Sequence, residues 1–267
     1  MSERGLLPGL ALLVGLILNA GPGRAQEPAV TPPVGSPAFS EERRPVSWKL
    51  LVPNILHDQK PVWLFPVRAA QGKHAKPTLA FLLATAGLVA LDPHDTPYFR
   101  RTASFHDFNR VFSGRNTTLA TAIVPLSAYA IGLARRNSYA QQTALLAGEA
   151  VADAELLTLV MKNVDRRLRP AEIPPDGDFA HTWFKGHGRF LSGRGSFPSG
   201  HTIAAFSVAT IFARRYRRHR WVPWVAYGLA GLVGFSRVPL QSHFPSDVFA
   251  GAVLGYTISR YVVLRQE

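Results

Sequence analysis

The sequence predicts an all-α protein, a bundle of six helices. Two observations predict it. Six apolar blocks rich in Ala, Leu, Val and Gly recur between residues 78 and 263, and none alternates with a period of two. The residues able to carry chemistry stand in three clusters, each at the edge of a block.

Composition narrows the class. The 267 residues are 47% apolar and 18% charged, with a mean hydropathy of only +0.05, so the apolar character is concentrated in the blocks. That length can bury a sizeable core. The formal net charge of +13 favours anionic partners. Nucleic acid is not expected among them, since no zinc-finger spacing, RNA-recognition signature or aromatic-interleaved basic helix is present. The chain has no cysteine, which excludes disulfides, thiolate catalysis and cysteine-ligated metals.

At the N-terminus, Arg4 precedes the apolar run Leu6 to Leu18, and Gly23-Arg24-Ala25 offers small residues around a cut. Residues 1–25 therefore read as a secretory signal peptide, with an uncleaved anchor as the alternative. Residues 26–76 read as a Pro-rich linker and an N-terminal extension, in which 48–76 form a short amphipathic helix and turns. The bundle domain is expected over 77–267.

The blocks run Thr78 to Leu91, Leu119 to Ala134, Ala140 to Met161, Thr202 to Ala213, Trp221 to Phe235 and Val248 to Val263. The third also carries Gln141, Gln142, Glu149, Asp153 and Glu155, a polar load that places it inside the bundle or outside lipid. Arg135 and Arg136, then Arg214, Arg215, Arg217, Arg218 and Arg220, then Arg265 fall between or after blocks. If the blocks cross a membrane, all of these lie on one side, as the positive-inside rule requires, and the three clusters lie on the other. A cleaved leader would make the first block enter from the wrong side. An uncleaved N-terminus or a partly embedded bundle removes that conflict, and a soluble bundle stays open. The long loop from Ala171 to Phe197 suits a lid or binding loop.

The first cluster is Lys162 to Pro170. If the helix runs on to Arg169, Lys162 and Arg169 point from one face and can hold a phosphate; Pro170 forces a turn there. Taken alone, these cations also serve a helix dipole. The second is Pro198-Ser199-Gly200-His201, leading into the fourth block. Ser199 can cap that helix, the free N–H groups make an anion site, Gly200 admits close approach, and His201 can move a proton. An ordinary capped helix start is the plain alternative. The third is Ser236 to Asp247. His243 and Asp247 stand four apart at the start of the last block, so the carboxylate can fix the imidazole tautomer and leave the other nitrogen free to attack. Arg237 adds a guanidinium suited to phosphate. A His–Asp pair that only caps a helix is the alternative. Together the clusters supply three cations, a helix N-terminus, two histidines and an orienting carboxylate, a set complete for phosphoryl transfer without a metal.

Three other groups carry less. Glu149 and Asp153, four apart, suggest a polar contact to an arginine. His181 and His187 lie in the long loop, lining an entrance or solvated. The pairs His94-Asp95 and His106-Asp107 read as a polar connecting loop.

The patterns K-x-x-x-x-x-x-R-P, P-S-G-H and S-R-x-x-x-x-x-H-x-x-x-D resemble the signature of the type 2 phosphatidic acid phosphatase and vanadium haloperoxidase superfamily, at Lys162, Arg169, Pro170, Pro198 to His201, Ser236, Arg237, His243 and Asp247. The likeness covers roughly residues 78–264. A weaker one, around Asp58-Gln59-Lys60, Trp63 and Phe65-Pro66, is to the N-terminal extension of a bacterial envelope branch. The resemblance implies a six-helix core of the acid phosphatase and haloperoxidase type, with the active site at one end. Lys162, Arg169 and Arg237 would bind phosphoryl oxygens with Ser199 and Gly200, His243 would attack phosphorus, Asp247 would orient it, and His201 would protonate the leaving oxygen. It implies an envelope phosphohydrolase of a lipid phosphate or diphosphate, membrane-associated, with its site facing the periplasm or exterior. No cofactor is expected, although vanadate or phosphate can occupy such a site. A vanadate-dependent haloperoxidase and an inactive membrane scaffold are the alternative classes.

Overall fold

The computed structural model describes residues 14–16, 44–186 and 193–265. Within them the chain is helical and holds no strand. The helices are α1 (Leu51–Ala70), α2 (Ala75–Arg101), α3 (His106–Val111), α4 (Gly114–Ala134), α5 (Ser138–Asp165), α6 (Gly200–Arg215), α7 (Trp221–Ser236) and α8 (Pro245–Ile258), the last continued by a π-helical turn, Ser259–Val263. All six apolar blocks are helices: α2, α4, α5, α6, α7 and α8. The described residues hold two more: 48–76 contains a full 20-residue helix, α1, rather than a short one, and the short α3 lies between the first two blocks. The pairs His94-Asp95 and His106-Asp107 are exposed on α2 and α3, not in a loop.

Local chemistry sets several helix starts. The Ser113 hydroxyl accepts from Asn116 N at 3.3 Å to open α4, and Asn137 Oδ1 accepts from Ala140 N at 3.0 Å to open α5. Pro245 occupies the first turn of α8, and the Asp247 carboxylate accepts the Phe244 N–H at 2.9 Å.

At the centre, α6 packs against α5, α7 and α8. Its contact with α8 is close because Gly251 and Gly255 face it: a Cβ on Gly251 would lie 2.8 Å from the Ser199 carbonyl oxygen. The main core joins Ala140, Leu146 and Ala150 of α5 to Ile203, Ile211 and Phe212 of α6. Val14 packs into that cluster too. Apart from residues 14–16, the expected signal peptide lies outside the described residues.

The outer helices face outward with apolar side chains. Leu82, Leu83 and Leu91 of α2 and Leu126 and Leu133 of α4 are exposed, and both helices are long and apolar enough to cross a membrane. On α1 the usual amphipathic order is inverted. Asn54, Asp58 and Gln59 turn inward, while Val52, Leu56, Phe65 and Val67 are exposed. Asn54 Nδ2 donates to Glu149 at 2.9 Å and Gln59 Nε2 to Asp153 at 2.7 Å. Arg44 pairs with Asp58 at 2.7 Å and reaches Glu149 at 3.5 Å. The expected arginine contact thus holds for Glu149, whereas Asp153 takes an amide. Accordingly α5 runs inside the bundle despite its polar load, as expected.

The ends of the bundle differ in charge. The basic clusters after α4, between α6 and α7 and after α8 share one end, where Arg215 lies 4.0 Å over the Tyr139 ring and Arg214 donates to Tyr256 Oη at 3.2 Å. The three motif clusters share the other, at the end of α5, the start of α6, the end of α7 and the start of α8.

Candidate active site

His243 sits in the turn just before α8 and is 2% exposed. Its Nδ1 lies 3.5 Å from Asp247 Oδ2. The spacing of four works because the helix begins between the two residues, so Asp247 in the first turn reaches back. Ser196 Oγ donates to the same Oδ2 at 2.5 Å and lies 3.4 Å from His243 Nδ1. With Nδ1 facing the carboxylate, Nε2 is the nitrogen left for substrate. Burial pulls the imidazole down to about 4, against the opposing pull of Asp247, so its free base dominates at neutral pH.

Ser199, Gly200 and His201 form the start of α6. The cap expected of Ser199 is not made: its hydroxyl accepts from Thr202 Oγ1 at 2.8 Å, while its N–H donates to the Asp247 carbonyl oxygen at 3.0 Å. The helix N-terminus therefore keeps N–H groups available to an anion. The close approach expected at Gly200 is not tight: a Cβ there would lie at ordinary contact distance, 3.6 Å from Lys162 Nζ and 3.5 Å from Glu155 Oε1. His201 Nε2 lies 3.2 Å from the Gly114 carbonyl oxygen and 3.0 Å from Thr118 Oγ1. The first turn of α4 thus positions the second histidine, a role no motif in α4 announces.

The cations reach the site by different routes than a single helix face. Helix α5 ends at Asp165, where Arg166 adopts a left-handed conformation (φ 44°), so Arg169 lies in an extended segment beyond it. Lys162 stays on the helix and is buried against the start of α6. Arg169 Nε donates to the Arg194 carbonyl oxygen at 3.3 Å, and its charge acts on both Lys162 and His243. Arg237 follows α7, is 1% exposed, and donates to Ser236 Oγ at 3.0 and 2.7 Å and to the Phe112 carbonyl oxygen. Burial lowers its pKa to about 10, still cationic at neutral pH.

Sequence reasoning missed Arg167. This guanidinium is 1% exposed and lies over the Trp183 and Phe244 rings, 4.5 and 4.0 Å from their centroids. It donates to Asp247 Oδ1 at 2.6 Å, Ser246 Oγ at 2.8 Å, Thr182 Oγ1 at 3.1 Å and Asp92 Oδ2 at 2.6 Å. A run of adjacent arginines gave no sign of which one turns inward. Arg100, at the end of α2, holds the following loop by donating to the Pro170 and Pro174 carbonyl oxygens and lying 4.7 Å over the Phe179 ring. Part of that loop is thus packed structure. His181 is exposed and pairs with Asp178, apart from the motif residues, and His187 lies outside the described residues.

Parts of this chain are similar to known proteins. Residues 143–267 match the PAP2 superfamily. A lipid A 1-phosphatase of Rhizobium etli is 39% identical over 102 residues, 38% of this chain and 40% of that protein. An undecaprenyl-diphosphatase, BcrC, of Bacillus subtilis is 40% identical over 63 residues, 24% of this chain and 31% of its own. The matches to curated relatives thus span about two-fifths of their length or less. Among solved structures, a transmembrane PAP2-type phosphatidylglycerolphosphate phosphatase from Bacillus subtilis aligns with 77% of this chain and 94% of its own, at 22% identity and a TM-score of 0.44. The stretch that matches the PAP2 superfamily, residues 143–267, is the part of the chain that carries all three motif clusters.

Proposed function

We propose that this protein is a metal-independent phosphohydrolase of a lipid phosphate or lipid diphosphate, working through a phosphohistidine on His243. The observation that carries the reading is the buried Asp247–His243 pair set beside Lys162, Arg237 and the open N-terminus of α6. His243 Nε2 attacks phosphorus. The bond from phosphorus to the leaving oxygen breaks, its electron pair stays on that oxygen, and His201 supplies the proton. Lys162, Arg169, Arg237, Ser199 and the Gly200 N–H offset the charge on the three equatorial oxygens. Water then attacks the phosphohistidine while His201 accepts its proton, and the N–P electron pair returns to His243.

A lipid substrate is supported by the outward leucines of α2 and α4 and by relatives named for lipid A and undecaprenyl diphosphate. The basic end opposite the site supports a site on the periplasmic or outer face of a bacterial envelope. The test is phosphate release, with chelator present, from lipid A, undecaprenyl diphosphate, phosphatidic acid and a soluble ester. Release from lipids that disappears in a folded His243→Ala variant upholds the reading, and the preferred lipid names the substrate. Release that survives in that variant removes His243 as nucleophile. No release from folded protein, with vanadate-dependent halide oxidation instead, turns the reading to a haloperoxidase; neither activity indicates a scaffold.

A further inference from the structure

Helix α2 turns most of its surface outward, yet it carries one carboxylate with no exposure at all. Asp92 accepts from Arg167 Nη2 at 2.6 Å, from Ser246 Oγ at 2.5 Å and from Ser246 N at 3.2 Å. It lies well before the residues matched to the family. A buried charge in an apolar helix is costly unless it is paired, and here the pairing runs into the site. The groups alternate in sign: Asp92, then Arg167, then Asp247, which faces His243 Nδ1.

We propose that Asp92, acting through Arg167, is a positioning residue for the Asp247–His243 pair. Two physical reasons support it. The guanidinium is held by contact with the Trp183 and Phe244 rings and by the hydrogen bond from its Nε to Thr182 Oγ1. It holds Asp247 Oδ1 and leaves Oδ2 for the histidine. Electrostatically, Arg167 by itself would neutralise Asp247 and weaken its support for a positive or phosphorylated imidazole. Asp92 occupies the other arm of the guanidinium and offsets its charge. Opposite effects follow. Removing the Asp92 charge disfavours imidazolium, whereas removing the Arg167 charge favours it. The other charged or titratable groups around the pair are Lys162 and Asp165 of α5, Arg169, Arg237 and His201. They stay the same in every variant below.

This inference rests on the hydrolase reading, and the experiment separates the two. Full-length Asp92→Asn, Arg167→Met, Arg167→Lys and the Asp92→Asn/Arg167→Met double variant are compared with wild type and His243→Ala. Phosphate release from micellar lipid A and undecaprenyl diphosphate is followed across the acid and neutral range. Asp92→Asn is expected to lower kcat about tenfold or more with KM nearly unchanged. Its acid limb of kcat/KM should move to lower pH by up to about one unit. Arg167→Met should move the limb to higher pH, and the double variant should fall between. Unchanged kcat and limb in folded Asp92→Asn, or limbs that shift the same way in both single variants, overturns the proposal. If Asp92→Asn does not fold, Arg167→Lys decides. It keeps the charge and loses the fork, so kcat should fall while the limb stays, and unaltered kcat overturns the proposal. Wild type with no turnover, or full turnover in His243→Ala, ends the hydrolase reading and this one with it. Loss in His243→Ala with Asp92→Asn unaffected ends this one alone.

Discussion

Arg167 Nη1 and Asp247 Oδ1 meet at 2.6 Å, both side chains buried, although the residues stand eighty positions apart in the chain. This ion pair ties the end of α5 to the start of α8. It also decides which oxygen of Asp247 faces His243.

Replacing Asp247 with Asn tests that oxygen. The amide keeps the shape and loses the charge that holds the Nδ1 proton. Turnover of the lipid phosphate is expected to fall about 100-fold or more, while KM changes little. Steady-state kinetics on folded Asp247→Asn reads this directly, and equal turnover removes the orienting role.

The acid limb of kcat/KM follows from His243, and the alkaline limb from the proton on His201, whose pKa burial likewise lowers to about 4. The attacking form is the free base, which is present above the imidazole pKa and lost as pH falls through it. Burial sets that pKa to about 4 in the free enzyme. Activity should therefore persist at pH values where an ordinary histidine, near about 6.5, is mostly protonated. An acid limb near the ordinary value, on a substrate whose own ionisation has been accounted for, contradicts it. The same depression has a sign for stability: this contribution is fully present above the unfolded-state value and is lost as pH falls toward about 4.

Arg237→Lys keeps a cation but removes the planar fork that bridges Ser236 Oγ and the Phe112 carbonyl oxygen. Loss of about tenfold or more in kcat/KM is expected, with weaker inhibition by orthovanadate. Kinetics and vanadate titration on the same preparation check both parts.

Gly251→Ala tests the approach of α8 to α6. The added Cβ would stand 2.8 Å from the Ser199 carbonyl oxygen and 3.2 Å from Thr202 Cβ, and the backbone on the α6 side has little room to yield. A loss of about 1–3 kcal/mol in stability is expected, read as a lower melting temperature in detergent. Turnover should fall with it, because Ser199 belongs to the site.

Legibility in the sequence followed how local each determinant is. Six apolar blocks were readable as helices because each carries its own periodicity. α1 was under-read because Pro61 and Pro66 break the pattern and its polar residues face inward, toward α5. The reach of Lys162 and Arg169 along one helix was misjudged because the left-handed turn at Arg166 is not encoded by a Gly or Pro there. The Ser199 cap is not made; its hydroxyl instead accepts from Thr202, one turn on.

By itself, then, the sequence determined the helical class, the three motif clusters and the pairing of His243 with Asp247, since each depends on neighbours within a helix turn or two. Tertiary structure alone decided that Arg167 rather than Arg166 enters the site, that Asp92 of α2 meets it there, and that α4 presents Gly114 and Thr118 to His201. Those contacts join residues some 75 to 87 positions apart, and a buried charge or hydroxyl takes its partner from whatever packing brings near.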